Sequence, residues 1–65
     1  MYSVLVADDD YEDRELVRIE IQRALADLEP NLKFYEAKSI AIASERLRSQ
    51  HFDLLTLDVE FDRMN

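Results

Sequence analysis

Glycine, cysteine and tryptophan are absent from this sequence, and proline occurs once, at Pro30. Without cysteine there is no disulfide and no thiolate zinc site, which are the usual reinforcements of a small fold. One histidine, His51, leaves little for zinc from imidazole either. The lack of glycine is the odder feature. Turns that need a positive φ normally use it. A complete α/β domain without any is unusual, whereas a segment that stops ahead of its glycine-bearing loops is not. We therefore expect these 65 residues to form part of a larger domain.

Basic clusters are also missing. Eight Lys and Arg stand against fifteen Asp and Glu, for a formal net charge of -7 and a pI near 4.4. A nucleic-acid surface needs clustered cations, so that partner class is excluded, and binding to an anionic membrane is disfavoured for the same reason. No apolar run approaches the roughly 20 residues of a membrane span. Met1-Tyr2-Ser3 supplies no basic segment ahead of Val4-Leu5-Val6-Ala7, so the start does not read as a secretory signal. The expectation is a cytoplasmic protein whose acidic excess keeps it soluble and attracts cations or basic partners. At this length it is at most one domain, burying only roughly 60% of its unfolded surface.

What is present is an alternation of strand and helix patterns. Val4-Leu5-Val6-Ala7 is an unbroken apolar run ended by Asp8-Asp9-Asp10, as in a strand buried on both faces of a parallel sheet. From about Asp10 to Leu28 the period becomes helical, with Val17, Ile21, Ala24, Leu25 and Leu28 on one face. Asp10 suits the N-cap, and Glu12 and Asp13 suit the first turn. Pro30-Asn31 ends that helix. Leu32 to Lys38 reads as a more exposed strand. Ser39 is placed to cap a second helix running to about Gln50, with Ile40, Ala43 and Leu47 as its buried stripe. Phe52 to Leu57 reads as a third strand, ending at Asp58.

The order β-α-β-α-β implies a parallel sheet with right-handed crossovers. The first strand is the most apolar and belongs in the centre; the second is the most polar and belongs near an edge. The expected spatial order is 2-1-3, with the two helices on opposite faces. The order then reverses between the first and third strands, where open α/β sheets bind ligands beyond the carboxyl ends of their strands. Asp8 and Asp9 end the first strand and Asp58 ends the third, so three carboxylates meet at that point. Close carboxylates repel. Either one stays protonated or a hard divalent cation sits among them, and oxygen-only ligands suit Mg²⁺. Taken alone, the Asp8-Asp9-Asp10 run is as readily a solvated helix cap, and Asp58 a turn residue. Their coincidence at adjacent strand ends favours a metal site.

Val4-Leu5-Val6-Ala7-Asp8-Asp9-Asp10 resembles the first strand and acidic pair of the receiver domains of two-component response regulators. Phe52-Asp53-Leu54-Leu55-Thr56-Leu57-Asp58-Val59 resembles their third strand and phosphoacceptor, while Ala37 and the Ala43/Leu47 pair match the end of the second strand and the second helix. The spacing from the acidic pair to Asp58 is also typical of the family. The likeness spans residues 1–65 and implies a flavodoxin-like doubly wound α/β sheet truncated to its first three strands. It implies that Asp9 ligates Mg²⁺ directly, that Asp8 acts through water, that the backbone carbonyl of Glu60 adds a ligand, and that Asp58 both ligates the metal and is the nucleophile. The implied phosphodonor is the phosphohistidine of a sensor histidine kinase, and Leu16 and Ile19, off the apolar stripe of the first helix, would suit contact with its helical domain. Such a module is not an enzyme beyond its own phosphorylation and dephosphorylation.

The chain departs from the family pattern in three places. Phe61-Asp62 stand where Met-Pro is usual, Ile40 stands where glycine is common, and the sequence ends at Asn65, ahead of the hydroxyl residue and lysine that complete the family's site. Lys38 is the nearest basic residue in the pattern, though an exposed lysine is the plainer reading. His51 reads as a surface residue, and Tyr11, Phe34, Tyr35 and Phe52 as packing. Two rival readings remain. In a haloacid-dehalogenase-type phosphatase Asp8 would be the nucleophile and Asp10 the general acid, but Glu12 departs from that family and Asp58 has no role. A receiver-like module that only dimerises or docks is the other, since an uncovered third strand invites self-association along its edge. An EF-hand over Asp58-Val59-Glu60-Phe61-Asp62 lacks the required glycine and distal glutamate.

Overall fold

The computed structural model describes residues 1–28 and 30–58. The element order is β1 (Tyr2–Ala7), α1 (Tyr11–Leu25), β2 (Leu32–Ala37), α2 (Ile40–Ser49) and β3 (Leu54–Leu57). The three strands form one parallel sheet in the order β2-β1-β3. This is the arrangement of the first half of a flavodoxin-like doubly wound fold, as the alternating pattern predicts.

β1 is central because it alone has an apolar residue at every inner position. Val4, Leu5, Val6 and Ala7 are each no more than 2% exposed. Register follows from it: Tyr2 to Ala7 pair with Leu32 to Ala37 on one side, and Val4 to Ala7 pair with Leu54 to Leu57 on the other. Side chains alternate across the sheet. Leu5, Ala7 and Ala37 pack with Ala43 of α2, joined by Tyr35, Ile42 and Phe52. The rings of Tyr35 and Phe52 meet edge to face at 5.3 Å, an arrangement the ring quadrupoles favour. On the other face Val6 and Thr56 border a cleft with Val17 of α1. Leu32 and Phe34 border another with Arg18 and Gln22. The two helices therefore serve opposite faces.

Both helices begin where the expected caps lie. Asp10 accepts from the backbone N–H groups of Glu12 and Asp13, and Ser39 accepts from that of Ile42. Their apolar stripes fare less well. α1 ends at Leu25, and a turn carries Leu28 away from the sheet, so Leu28 is exposed, as is Ala24; Val17, Ile21 and Leu25 are half-buried. In α2 only Ala43 of the expected stripe is buried, while Ile40 and Leu47 are exposed and Ile42 takes the second packing position. The reason is placement: α2 packs on β1 and β2, so the flank of its stripe that turns toward β3 is left open. Tyr11, expected in packing, is also exposed, with the Arg14 guanidinium 5.6 Å from its ring centre. No helix among the described residues is long and apolar enough to cross a membrane.

Candidate metal centre

The site is built from two strand ends and one helix start. Ladder hydrogen bonds run past the last residue of β1: the Asp8 N–H donates to the Ala37 carbonyl at 3.0 Å, and the Asp58 N–H donates to the Ala7 carbonyl at 3.2 Å. The end of the central strand is thereby held to β2 through Asp8 and to β3 through Asp58, at the same sheet edge. Ligand oxygens of Asp8, Asp9 and Asp58 lie within 4.8 Å of one another. Asp8 is buried, Asp58 half-buried and Asp9 exposed. A cleft of about 180 Å³ opens beside Asp8 and Asp58, walled by Val6, Val17, Thr56 and Leu57.

The β1–α1 turn sets the first two carboxylates. The Asp8 carboxylate accepts from the Asp10 N–H at 2.9 Å, a local Asx-type bond that closes the turn. The Asp10 carboxylate faces the other way, accepting from Glu12 N–H at 2.8 Å and Asp13 N–H at 3.2 Å. Of the three consecutive aspartates, Asp10 serves the helix and only Asp8 and Asp9 join Asp58. The Asp9 carboxyl is held above its ordinary range by desolvation in the crowded turn, by a hydrogen bond shared with Asp8, and by the charges of Asp8 and Asp58. Asp13 is also raised, first by the charge of Asp10. Neighbouring carboxylates contribute to both shifts, as the leading cause at Asp13 and behind desolvation at Asp9.

A cation would relieve that charge, and the donor set fits a hard one. Every ligand atom is a carboxylate oxygen, with no sulfur or imidazole in the group, which suits Mg²⁺ and not zinc. The Glu60 carbonyl, expected as a further ligand, lies outside the described residues, as do Val59, Phe61 and Asp62.

The other residues singled out in the sequence lie elsewhere. His51 is exposed and 3.3 Å from Asp53, a surface position as expected. Lys38 is exposed and borders a cleft with Arg14, Glu36, Ile42 and Arg46. Leu16 and Ile19 are exposed on α1. The sequence pattern overlooked two supporting features. Arg14 donates to the Asp8 carbonyl at 2.9 Å and to the Glu36 carboxylate at 2.7 Å. Asp53 and Ser3 exchange two bonds, Asp53 N–H to Ser3 carbonyl and Ser3 N–H to Asp53 carboxylate, each 2.8 Å. The signals were a basic residue four positions after a helix cap, and an aspartate immediately ahead of an apolar strand.

No protein-family model matches the sequence, and no curated protein or solved structure is significantly similar to it.

Proposed function

We propose that this chain is the phosphoacceptor portion, residues 1–65, of a receiver module in two-component signalling, taking a phosphoryl group on Asp58 from a sensor histidine kinase with Mg²⁺ bound. The observation that carries the reading is the convergence of Asp8, Asp9 and Asp58 at the carboxyl edge of a 2-1-3 parallel sheet. Mg²⁺ takes oxygen ligands and usually keeps several waters, so carboxylates can hold it both directly and through water. A cluster spread over no more than 4.8 Å is compatible with one ion held among the three carboxylates, and the resemblance to receiver domains gives Asp9 and Asp58 the direct contacts and Asp8 a contact through water.

Bound there, Mg²⁺ would supply charge neutralisation for an incoming phosphoryl group. An Asp58 carboxylate oxygen attacks phosphorus, the bond from phosphorus to the donor imidazole nitrogen breaks, and that nitrogen keeps the electron pair. An acyl phosphate forms on Asp58. Little covalent assistance is needed; position and charge do most of the work. The cleft beside Asp58 gives a route of approach, and exposed Leu16 and Ile19 offer α1 as a docking face for the kinase. The setting is cytoplasmic.

Asp10 argues against the phosphatase-type reading. That chemistry needs the Asp10 carboxyl as general acid beside Asp8, and here it caps α1 through two backbone N–H groups. A docking or dimerisation module without phosphorylation is favoured by one observation, the exposed leucines of β3, and does not account for the three carboxylates. With residues 1–65 carried in a complete receiver module, incubation with a small acyl phosphate and Mg²⁺ should add one phosphoryl group, seen by intact mass, and Asp58→Asn should abolish it. Amide shifts at Asp9 and Asp58 should move on titration to millimolar Mg²⁺, and Asp9→Asn should weaken them strongly. Labelling that survives Asp58→Asn and is lost on Asp8→Asn would transfer the nucleophile to Asp8.

A further inference from the structure

Arg14 sits in the first turns of α1, and its side chain is only 12% exposed. Arginine is seldom buried to that extent without partners, and both of its partners here are informative. One guanidinium N–H, on Nη1, donates to the backbone carbonyl of Asp8 at 2.9 Å. Nε–H donates to Glu36 Oε1 at 2.7 Å. Glu36 lies on β2, paired with Val6 of β1, and its own carbonyl accepts from Arg46 Nε of α2 at 2.8 Å. A chain of hydrogen bonds therefore runs from α2 through β2 to α1 and ends on the backbone of an aspartate in the carboxylate cluster.

We infer that Arg14 is a positioning residue for the cation site, an inference that rests on the metal reading above. The backbone of Asp8 is held at both of its polar groups: its N–H by Ala37, its carbonyl by Arg14. That carbonyl belongs to the peptide linking Asp8 to Asp9. Fixing it fixes the direction in which the Asp9 side chain leaves the strand end. Without the Arg14 bond that peptide plane loses its side-chain restraint, and the exposed Asp9 would swing away from Asp8 and Asp58 to lower the repulsion of close carboxylates. A planar fork that reaches two acceptors is a task for arginine and not for lysine. Partners one shell out from a metal ligand commonly change affinity by about 10–100-fold.

Charge alone predicts the opposite sign, which makes the inference testable. Arg14 is a cation near a cation site, so deleting it should tighten Mg²⁺ if its field were its only role. Positioning predicts that Arg14→Ala weakens Mg²⁺, by about tenfold at the low end of that range, with Arg14→Lys restoring little. The glutamate supplies a second arm. Glu36→Gln and Glu36→Ala remove the same charge, but only Gln keeps an acceptor for Nε–H, so Gln should bind Mg²⁺ more tightly than Ala. The experiment is Mg²⁺ titration of the chain and its four variants by amide shifts, with far-ultraviolet circular dichroism to confirm the fold and hydrogen exchange at the Asp10 N–H measured without metal. Should Arg14→Ala not fold, the Gln/Ala pair decides. Unchanged or tighter Mg²⁺ binding in Arg14→Ala, or equal affinities for Glu36→Gln and Glu36→Ala, overturns the inference. A wild-type chain that takes no Mg²⁺ overturns the metal reading instead. Exchange then still decides whether Arg14 orders the turn: faster exchange at Asp10 in Arg14→Ala supports it, and unchanged exchange refutes it.

Discussion

Asp53 shows how one side chain can do structural work that composition hides. It lies just ahead of β3, and its carboxylate and backbone N–H both engage Ser3 near the start of β1. The Ser3 N–H, followed by desolvation acting the other way and by His51, holds the Asp53 carboxyl below its ordinary value. A depressed folded-state value means that the unfolded chain binds protons more readily. The contribution is therefore complete above the ordinary aspartate value and is lost as pH falls through the lower folded value. Thermal melts of Asp53→Asn against the parent should show the parent more stable at neutral pH. The gap should close toward the acid side, once Asp53 is protonated in both states. A gap that stays constant from neutral to acidic pH would show that the clamp works through packing and not charge. Glu15, lowered first by its hydrogen bond to Arg18, acts in the same sense. Asp9, raised first by desolvation, and Asp13, raised first by the charge of Asp10, act in the opposite sense.

At the scale of elements, leucines that look alike in the sequence diverge. Leu5 is fully buried in β1, at 0% exposure, and Leu47 on α2 is 47% exposed. Both read as core positions, Leu5 from its apolar run and Leu47 from its helical period. Truncating Leu5 should cost about 2–5 kcal/mol, the usual range for a buried leucine with its cavity. Truncating Leu47 should cost about 0.5 kcal/mol or less, as for a surface position. Denaturant unfolding of Leu5→Ala and Leu47→Ala checks the contrast; equal costs would mean that the α2 stripe is covered in solution. The total at stake is small. At about 0.05–0.15 kcal/mol per residue, a chain of 65 residues has a total stability on the same scale as the loss of Leu5, so Leu5→Ala should unfold at a much lower denaturant concentration than the parent.

For the molecule as a whole, one group of exposed apolar residues lies together between α2 and β3. Ile40, Leu47, Leu55 and Leu57 are all more than 40% exposed and line one groove of about 140 Å³ with Ala43 and Ser44. Among the described residues β3 pairs only with β1, so its outer edge presents unpaired backbone groups beside that groove. Apolar edges of this kind invite strand addition. We expect the isolated chain to self-associate through β3. Light scattering with intact mass should give a multiple of 7.7 kDa, and Leu55→Lys should shift the population toward monomer. A wild-type chain that stays a folded monomer at high concentration would refute this.

Much of the architecture was legible without coordinates because it depends on local periodicity. An unbroken apolar run marks a strand buried on both faces, and β1 is one. Asp10 and Ser39 each precede a helical period, and both cap. The relative polarity of Val4–Ala7 and Leu32–Lys38 was enough to order the strands, and that order brings Asp8, Asp9 and Asp58 to one edge. What the sequence by itself determined, then, is everything set by period and by strand ends: the three strands, the two helix starts and the meeting of the carboxylates. Tertiary structure decided what depends on which element lies over which. It left Leu28, Ile40 and Leu47 in solvent, because α1 ends at Leu25 and α2 sits over β1 and β2, away from β3. It brought Arg14 to Glu36 across 22 positions and Ser3 to Asp53 across 50. Side-chain periodicity carries no information about contacts at such separations, because they exist only once parallel pairing has set the strands side by side.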